Sequence, residues 1–313
     1  MKKILLSLGM IVFVGAVAAG ATGAFFNDTE TSTGNTFAAG DIDLKIDNES
    51  YVTATSTILD NGQVVQQAGT LIASPWTSWD LADLVAGTHK FFDFNDLKPG
   101  DMGEDTISVH VGSNDAWVCA AAKITNDSDN GITEPEDEVN LPIDGSDGTT
   151  DGDLDSELQF AFWADDGDNV LEENEYNSGL GIFLSGTLAA MGAQDQITLA
   201  DSGSSILGGN TPIPGDSTFY IGKAWCFGTL SGAPLTQDGL GKIGTPKNPN
   251  TPNGPLDRTT GVACDGAGAG NIAQTDLVEG DMQFYAVQSR NNPRFLCSVN
   301  YIPTWPTPPI PTL

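Results

Sequence analysis

The chain has 313 residues, 39% of them hydrophobic, and carries 42 acidic against 12 basic side chains, a formal charge of −30 at pH 7. A chain this negative is repelled by nucleic acid and anionic membrane surfaces, and it gathers dissolved cations. Its length suits one large β domain or two small ones, with enough apolar residues for a sizeable core.

Lys2 and Lys3 precede an uncharged run from Ile4 to Gly20, which ends among the small residues Ala21, Gly23 and Ala24. That is the layout of a secretory signal peptide. The run lies at the short end of the roughly 17–25 residues needed to span a bilayer and is rich in Gly and Ala. Residues 1–24 are therefore expected to be removed, so that the protein is secreted and meets a membrane only through its uncleaved leader. Cleavage after Ala21 and cleavage after Ala24, within Thr22-Gly23-Ala24, fit the spacing equally well.

Residues 25–37 come next. Thr and small polar residues lie between Phe25, Phe26, Asn27 and Asp28 at one end and Phe37 at the other. Such a segment can pair as a strand but has too few apolar groups to fold alone. From Asp41 to Asp47 every second residue is aliphatic and the intervening ones are charged, which predicts a strand with Ile42, Leu44 and Ile46 buried and the other face wet. The same period recurs in Ile107, Val109 and Val111, in Leu158, Phe160 and Phe162, in Phe219 and Ile221, and in Met282 and Phe284. Turn formers separate them: Lys98-Pro99-Gly100-Asp101, the acidic loop from Asp144 to Asp153, and the Pro/Gly/Asn-rich stretch from Gly232 to Gly254. Helical spacing is clear only from Leu180 to Met191, weakened by Gly181 and Gly186. The pattern predicts an all-β fold, an antiparallel jelly-roll-like β-sandwich with long loops and at most one or two short helices. It is read as a single domain over residues 38–301 with acidic loop insertions, followed by a proline-rich extended tail over residues 302–313.

The four cysteines all follow the leader and include no Cys-x-x-Cys pair. Outside the cell an even number implies disulfides, with three possible pairings. Cys226 with Cys264 would close the Gly/Pro-rich segment, leaving Cys119 with Cys297 to tie an early strand to the last one; this pairing is preferred. A cysteine metal site assisted by His89 or His110 is disfavoured, because no close ligand pair exists.

Residues 164–175 can be laid on the twelve-residue calcium loop. Asp166 and Asp168 then fall at positions three and five, Asn169 at the sharp turn, the Val170 carbonyl at seven and Glu175 at twelve. The first ligand is missing, so Asp165, Glu172 or water would complete the six to eight oxygens that calcium takes. Asn can replace the usual Gly at the turn because it tolerates the left-handed conformation. Acidic Asp-Gly loops are also ordinary turns.

A resemblance enters at the opening. Ala24-Phe25-Phe26-Asn27-Asp28 directly after a short leader, then Thr36-Phe37-Ala38-Ala39-Gly40-Asp41-Ile42-Asp43-Leu44, resembles the start of the TasA/camelysin family. There, an aromatic-Asn/Ser-Asp motif leads into a T-F-x-[AS]-G-x-[LI]-D-L strand. Asn95-Asp96-Leu97-Lys98-Pro99-Gly100-Asp101 is similar to that family's N-L-K-P-G-D turn, here before the strand Ile107 to Val111. The matches lie within residues 24–125. The resemblance implies a secreted jelly-roll protein of biofilm-matrix or cell-surface fibres. It further implies a dedicated signal peptidase that cleaves before Phe25, and self-association into filaments in which one subunit's N-terminal segment completes the sheet of the next. The chain departs from the pattern in its four cysteines and, after Thr125, in an acidic loop and a long segment from Cys226 to Cys297.

Camelysin-type relatives have been classed as metallopeptidases, but neither His89 nor His110 begins H-E-x-x-H, and no nucleophile elbow, phosphate loop or dinucleotide fingerprint is present. A non-enzymatic protein is therefore expected. His110 has the opposite parity to Ile107 and Val109 and is expected to be solvent-exposed. The second reading is a monomeric cell-surface binding module that holds a glycan or protein on Trp76, Trp79, Trp163 and Trp225.

Overall fold

A computed structural model describes residues 27–31, 42–54, 57–58, 64–66, 70–131, 133–137, 152–178, 181–194, 196–247 and 252–305. Its strands are β1 (Asn27–Thr31), β2 (Leu44–Ala54), β3 (Thr57–Ile58), β4 (Val64–Gln66), β5 (Thr70–Ala73), β6 (Trp79–Ala82), β7 (Met102–Val111), β8 (Ala116–Ser128), β9 (Leu158–Asp165), β10 (Ile182–Thr187), β11 (Ile197–Ala200), β12 (Ser217–Phe227), β13 (Thr229–Gly232), β14 (Val262–Asp265) and β15 (Leu277–Gln288). They form a seven-stranded sheet of order β10-β9-β12-β7-β2-β5, with β6 also on β2, and a four-stranded sheet of order β1-β15-β8-β11. Two small hairpins, β3-β4 and β13-β14, complete the set, and all the strand pairings are antiparallel.

One apolar core lies between the two large sheets and takes residues from both. From the seven-stranded sheet come Leu44, Ile46, Ile107, Val109, Val111, Phe160, Phe219 and Ile221; from the four-stranded sheet come Val118, Ala120, Met282, Phe284 and Ala286. These are the residues that the two-residue period places on one face, so the all-β sandwich expected from the sequence is what forms. Removing apolar area on this scale from water is the main favourable contribution to the fold, at about 25 cal/mol per Å². Glycine lets the sheet approach its own tryptophans: a Cβ on Gly222 would run into the Trp163 ring, and one on Gly103 into Trp225.

Both disulfides have the preferred pairing. Cys119 on β8 joins Cys297, which opens a helical turn at Cys297–Asn300, and Cys226 on β12 joins Cys264 on β14. The second bridge closes the excursion that leaves the sheet after β12 and returns through β14.

Several local expectations are corrected. Helix in the segment from Leu180 to Met191 is confined to Leu188–Gly192; Ile182–Thr187 is strand instead, paired antiparallel with β9. Backbone pairing along β9 outweighs the spacing of the apolar residues there, and the Thr187 side chain then caps the helical turn by accepting from the Ala190 amide at 3.2 Å. Short helical pieces are also more numerous than one or two, with six single turns of four or five residues among the described residues. His110 is half-buried rather than exposed, its ring bonded to Asp47 Oδ2 and Thr218 Oγ1, each at 2.8 Å. The start of the tail is not free of the core, since Trp305 packs against it and the Thr304 carbonyl accepts from Gln283 Nε2 at 3.0 Å.

The largest correction concerns the polar face of the seven-stranded sheet. Asp43 and Lys45 are wet, as the alternation predicts, but Asp47, Glu49, Glu104 and Thr106 are buried. Alternation reports which face of a strand is apolar and carries no information about whether another segment covers the polar one. Here one does. Residues 166–178 and the described parts of the excursion closed by Cys226–Cys264 lie over this outer face as a roof.

Candidate metal centre

The roof is pinned to the sheet by a small apolar cluster and a set of polar contacts. Trp163 and Ala224 on the sheet pack with Leu171 and Val262 from above. Asn169 donates through Nδ2 to the Glu49 carbonyl at 3.3 Å, and Lys242 in the excursion pairs with Glu49 Oε2 at 2.6 Å. Loop and excursion are joined by backbone as well: the Leu171 amide donates to the Thr260 carbonyl, and the Leu235 amide to the Leu171 carbonyl.

Within this roof the chain turns sharply twice. Gly167 has φ 104° and Asn169 φ 69°, so Asn169 takes the left-handed conformation expected of it. Asp165 Oδ2 accepts from the Gly167 amide at 3.0 Å and from Thr106 Oγ1 at 3.0 Å, and its Oδ1 accepts from Trp163 Nε1 at 3.1 Å. Glu172 and Glu175 then close a reciprocal capping box on the turn Glu173–Asn177, with Glu175 Oε1 also accepting from the Asp166 amide at 2.9 Å.

The acids so placed fall into overlapping groups, in each of which three carboxylates bring oxygens within 4.8 Å of one another: Asp165 with Asp166 and Asp168, Asp166 with Glu172 and Glu175, and Asp168 with Glu172 and Asp238. The third group already has a cation. Arg258 Nη1 stands 3.0 Å from Asp168 Oδ2, 2.6 Å from Glu172 Oε1 and 3.0 Å from Asp238 Oδ2. In the second, among the described residues, only Glu172 meets a cation, through its Oε1. Glu172 Oε2 and Asp166 Oδ1 are buried and meet no hydrogen-bond donor, and Glu172 is wholly buried.

Burial and mutual repulsion raise Asp165, Asp166, Asp168 and Glu175 above the usual carboxylate range. Asp168 and Glu175 are pushed up to about 9, each first by burial and then by Asp165, and Asp165 to about 7 by burial and then by Asp166. Asp166 is raised too, chiefly by burial. Beneath them Glu104 on β7 is fully buried and raised well above its ordinary value, by burial first and then by Asp165, and neither of its oxygens meets a donor.

The structure thus brings together Asp165, Asp166, Asp168, Glu172 and Glu175, all predicted from the sequence as calcium ligands. Asp168 Oδ1 accepts from the Val170 amide at 3.0 Å while its Oδ2 faces Arg258, so the acid at position five of the loop is engaged within the protein. Sequence reasoning missed Arg258, Asp238 and Glu104. Only scarcity could have pointed to Arg258, because in a chain with 12 basic residues every buried one is a candidate counter-ion.

Of the predicted arm, Asn27 and Asp28 begin β1, whose register on β15 runs from Asn27↔Val287 to Thr31↔Gln283. Thr22 and Ala24 at the predicted cleavage site, and Phe25, Phe26 and Phe37, lie outside the described residues. Among the described residues neither histidine joins a group of potential metal ligands, and no helix is long and apolar enough to cross a membrane. His89 instead stacks on Trp79 with ring centroids 5.2 Å apart. No protein-family model matches the chain, and no curated protein is significantly similar to it. These features define a disulfide-bonded β-sandwich protein with an acidic roof over one outer face.

Proposed function

We propose that the chain is a secreted structural protein of the TasA type, a subunit of extracellular matrix or cell-surface fibres, joined to its neighbour by the N-terminal strand. The observation that carries this reading is the position of β1. It lies at the edge of the four-stranded sheet, among the described residues it pairs with β15 alone, and residues 32–41 separate it from the core strand region that begins at Ile42. A strand held at an edge by one ladder can be supplied by another copy in the same register, because backbone hydrogen bonds carry the pairing. When donor and acceptor edges lie at different places on the subunit the contact is heterologous and repeats as an open filament. The leader, the resemblance of residues 24–44 to the family and the two disulfides support an extracellular site of action.

The binding-module reading has less support, since Trp79, Trp163 and Trp225 are buried and, of the four tryptophans invoked, only Trp76 is exposed. The test compares oxidised protein beginning at Phe25 with protein beginning at Ala38 by negative-stain electron microscopy. Filaments from the first and monomers from the second are expected. Monomers from both, or filaments from both, would remove strand donation as the basis of assembly.

A further inference from the structure

We propose that Asp166, Glu172 and Glu175 hold a calcium ion, and that the ion fastens the excursion closed by Cys226–Cys264 to the outer face of the seven-stranded sheet. Acidic residues alone would not carry this. The added observation is Glu172, wholly buried and grouped with Asp166 and Glu175, whose Oε1 is taken by Arg258 and by the Asp238 amide at 3.2 Å while its Oε2 meets no donor. Asp166 Oδ1, in the same group, is likewise buried without a donor. Buried carboxylate oxygens are nearly always satisfied, so two unsatisfied ones on residues of one such group point to a cation there.

The chemistry selects the ion. Among the described residues the group contains only oxygen ligands, with no imidazole or thiolate, which suits a hard cation. Calcium accepts irregular sets of six to eight oxygens, whereas magnesium demands near-ideal octahedral geometry and keeps its waters. Ligands drawn from a turn and a capping box, with one oxygen of Glu172 and both of Glu175 already accepting hydrogen bonds, form an irregular set.

The arrangement departs from the linear twelve-residue loop. Positions three and twelve, Asp166 and Glu175, are kept; position five, Asp168, has turned to Arg258, and Glu172 replaces it. Because Glu172 also binds Arg258 and Asp238, and Asp166 Oδ2 accepts from Gln237 Nε2 at 3.3 Å, the ion reaches three residues of the excursion through its own ligands. This reading is independent of filament assembly, and the failure of either leaves the other standing.

Trp163 makes the site visible, since its indole nitrogen donates to Asp165 beside the group. The oxidised full chain, stripped with a chelator, is titrated with terbium while tryptophan is excited, and the bound terbium is then displaced with calcium or magnesium. Saturable sensitised emission is expected, displaced by calcium at a concentration at least tenfold lower than by magnesium. Asp166→Asn and Glu172→Gln should each weaken terbium binding at least tenfold, and Glu136→Gln, in the separate Asp129–Glu136–Asp276 group, should leave it unchanged. Should Glu172→Gln fail to fold, the half-buried Asp166 carries the test, checked by near-ultraviolet circular dichroism. Absence of saturable emission, binding unaffected by Asp166→Asn, equal loss in Glu136→Gln, or displacement by magnesium as readily as by calcium would each overturn the proposal.

Discussion

The two faces of the seven-stranded sheet both bury charge, and they resolve it in opposite ways. On the core side Lys223 and Asp105 are completely buried and face each other at 2.9 Å. The ammonium also sits 3.7 Å from the centroid of the Phe92 ring and 3.3 Å from the Phe91 carbonyl, and Asn48 Nδ2 donates to Asp105 Oδ1 at 3.2 Å. On the outer side, under the roof, Asp165, Asp166, Asp168, Glu172 and Glu175 lie in overlapping carboxylate groups, and among the described residues the guanidinium of Arg258 reaches only Asp168 and Glu172 of these five. A buried charge answered within the chain is part of the structure. A buried surplus of one sign has to be answered by protons or by an ion from outside, and that contrast separates a structural polar cluster from a binding site.

Breaking the core pair should have the largest effect. Lys223→Met leaves the Asp105 carboxylate buried without its cation, and stability in urea at pH 7 should fall by about 3–5 kcal/mol. Adding Asp105→Leu should recover most of that loss, because a well-packed apolar pair is often no worse than a buried ion pair. If the single and double variants are equally unstable, the pair is not acting through its charges and the contrast between the faces fails.

The matching change on the outer face should be smaller and conditional. Arg258→Met removes hydrogen bonds to Asp168, Glu172 and the Thr236 carbonyl. In chelator the loss should be about 2 kcal/mol, the order of a hydrogen bond to a charged group, since the acids can take up protons. Calcium should then raise the melting temperature more in this variant than in the parent, because among the described residues no other cation reaches Asp168 or Glu172 once Arg258 is removed. An identical calcium response in the two proteins would show that Arg258 and the ion do not share a charge cluster.

Much of the sandwich was legible in the sequence. Ile107, Val109 and Val111, or Met282 and Phe284, announce a strand and its inner face through spacing alone, because the pleat puts alternate side chains on one side. The acidic loop was legible as well, since Asp166, Asp168, Asn169 and Glu175 lie close together in the chain. What the sequence concealed is long-range. Glu104 reads as a wet residue of a half-buried strand until the excursion covers it, and Arg258 reads as a surface residue until the chain folds back over 86 residues to reach Glu172. Gly186, with φ 150°, helps turn an apparent helix into strand by a preference that apolar periodicity does not register.

The smallest predicted effect concerns a second acidic group, Asp129, Glu136 and Asp276, which tests whether repulsion among buried acids is general in this chain. Asp276 is pushed up to about 6, by burial first and then, among the charges, by Glu136 and Asp129, although its Oδ2 accepts from the Asp153 amide at 2.6 Å. Its folded value lies above the unfolded one near 4, so between these values the folded state binds more protons than the unfolded state, and stability declines as pH rises through that window. Asp276→Asn keeps an oxygen for the Asp153 amide and removes the charge. It should therefore stabilise the protein at pH 7 by at most about 1 kcal/mol after solvent screening, with no gain at pH 4, where the parent's carboxyl is already protonated in the folded protein. Melting temperatures of both proteins across pH 4 to 7, in chelator and in calcium, measure this. Curves that converge toward pH 4 in both solutions would show that the strain at Asp276 is relieved by protons alone, whereas a gap that closes only when calcium is added would give this second group the same need for an ion as the roof.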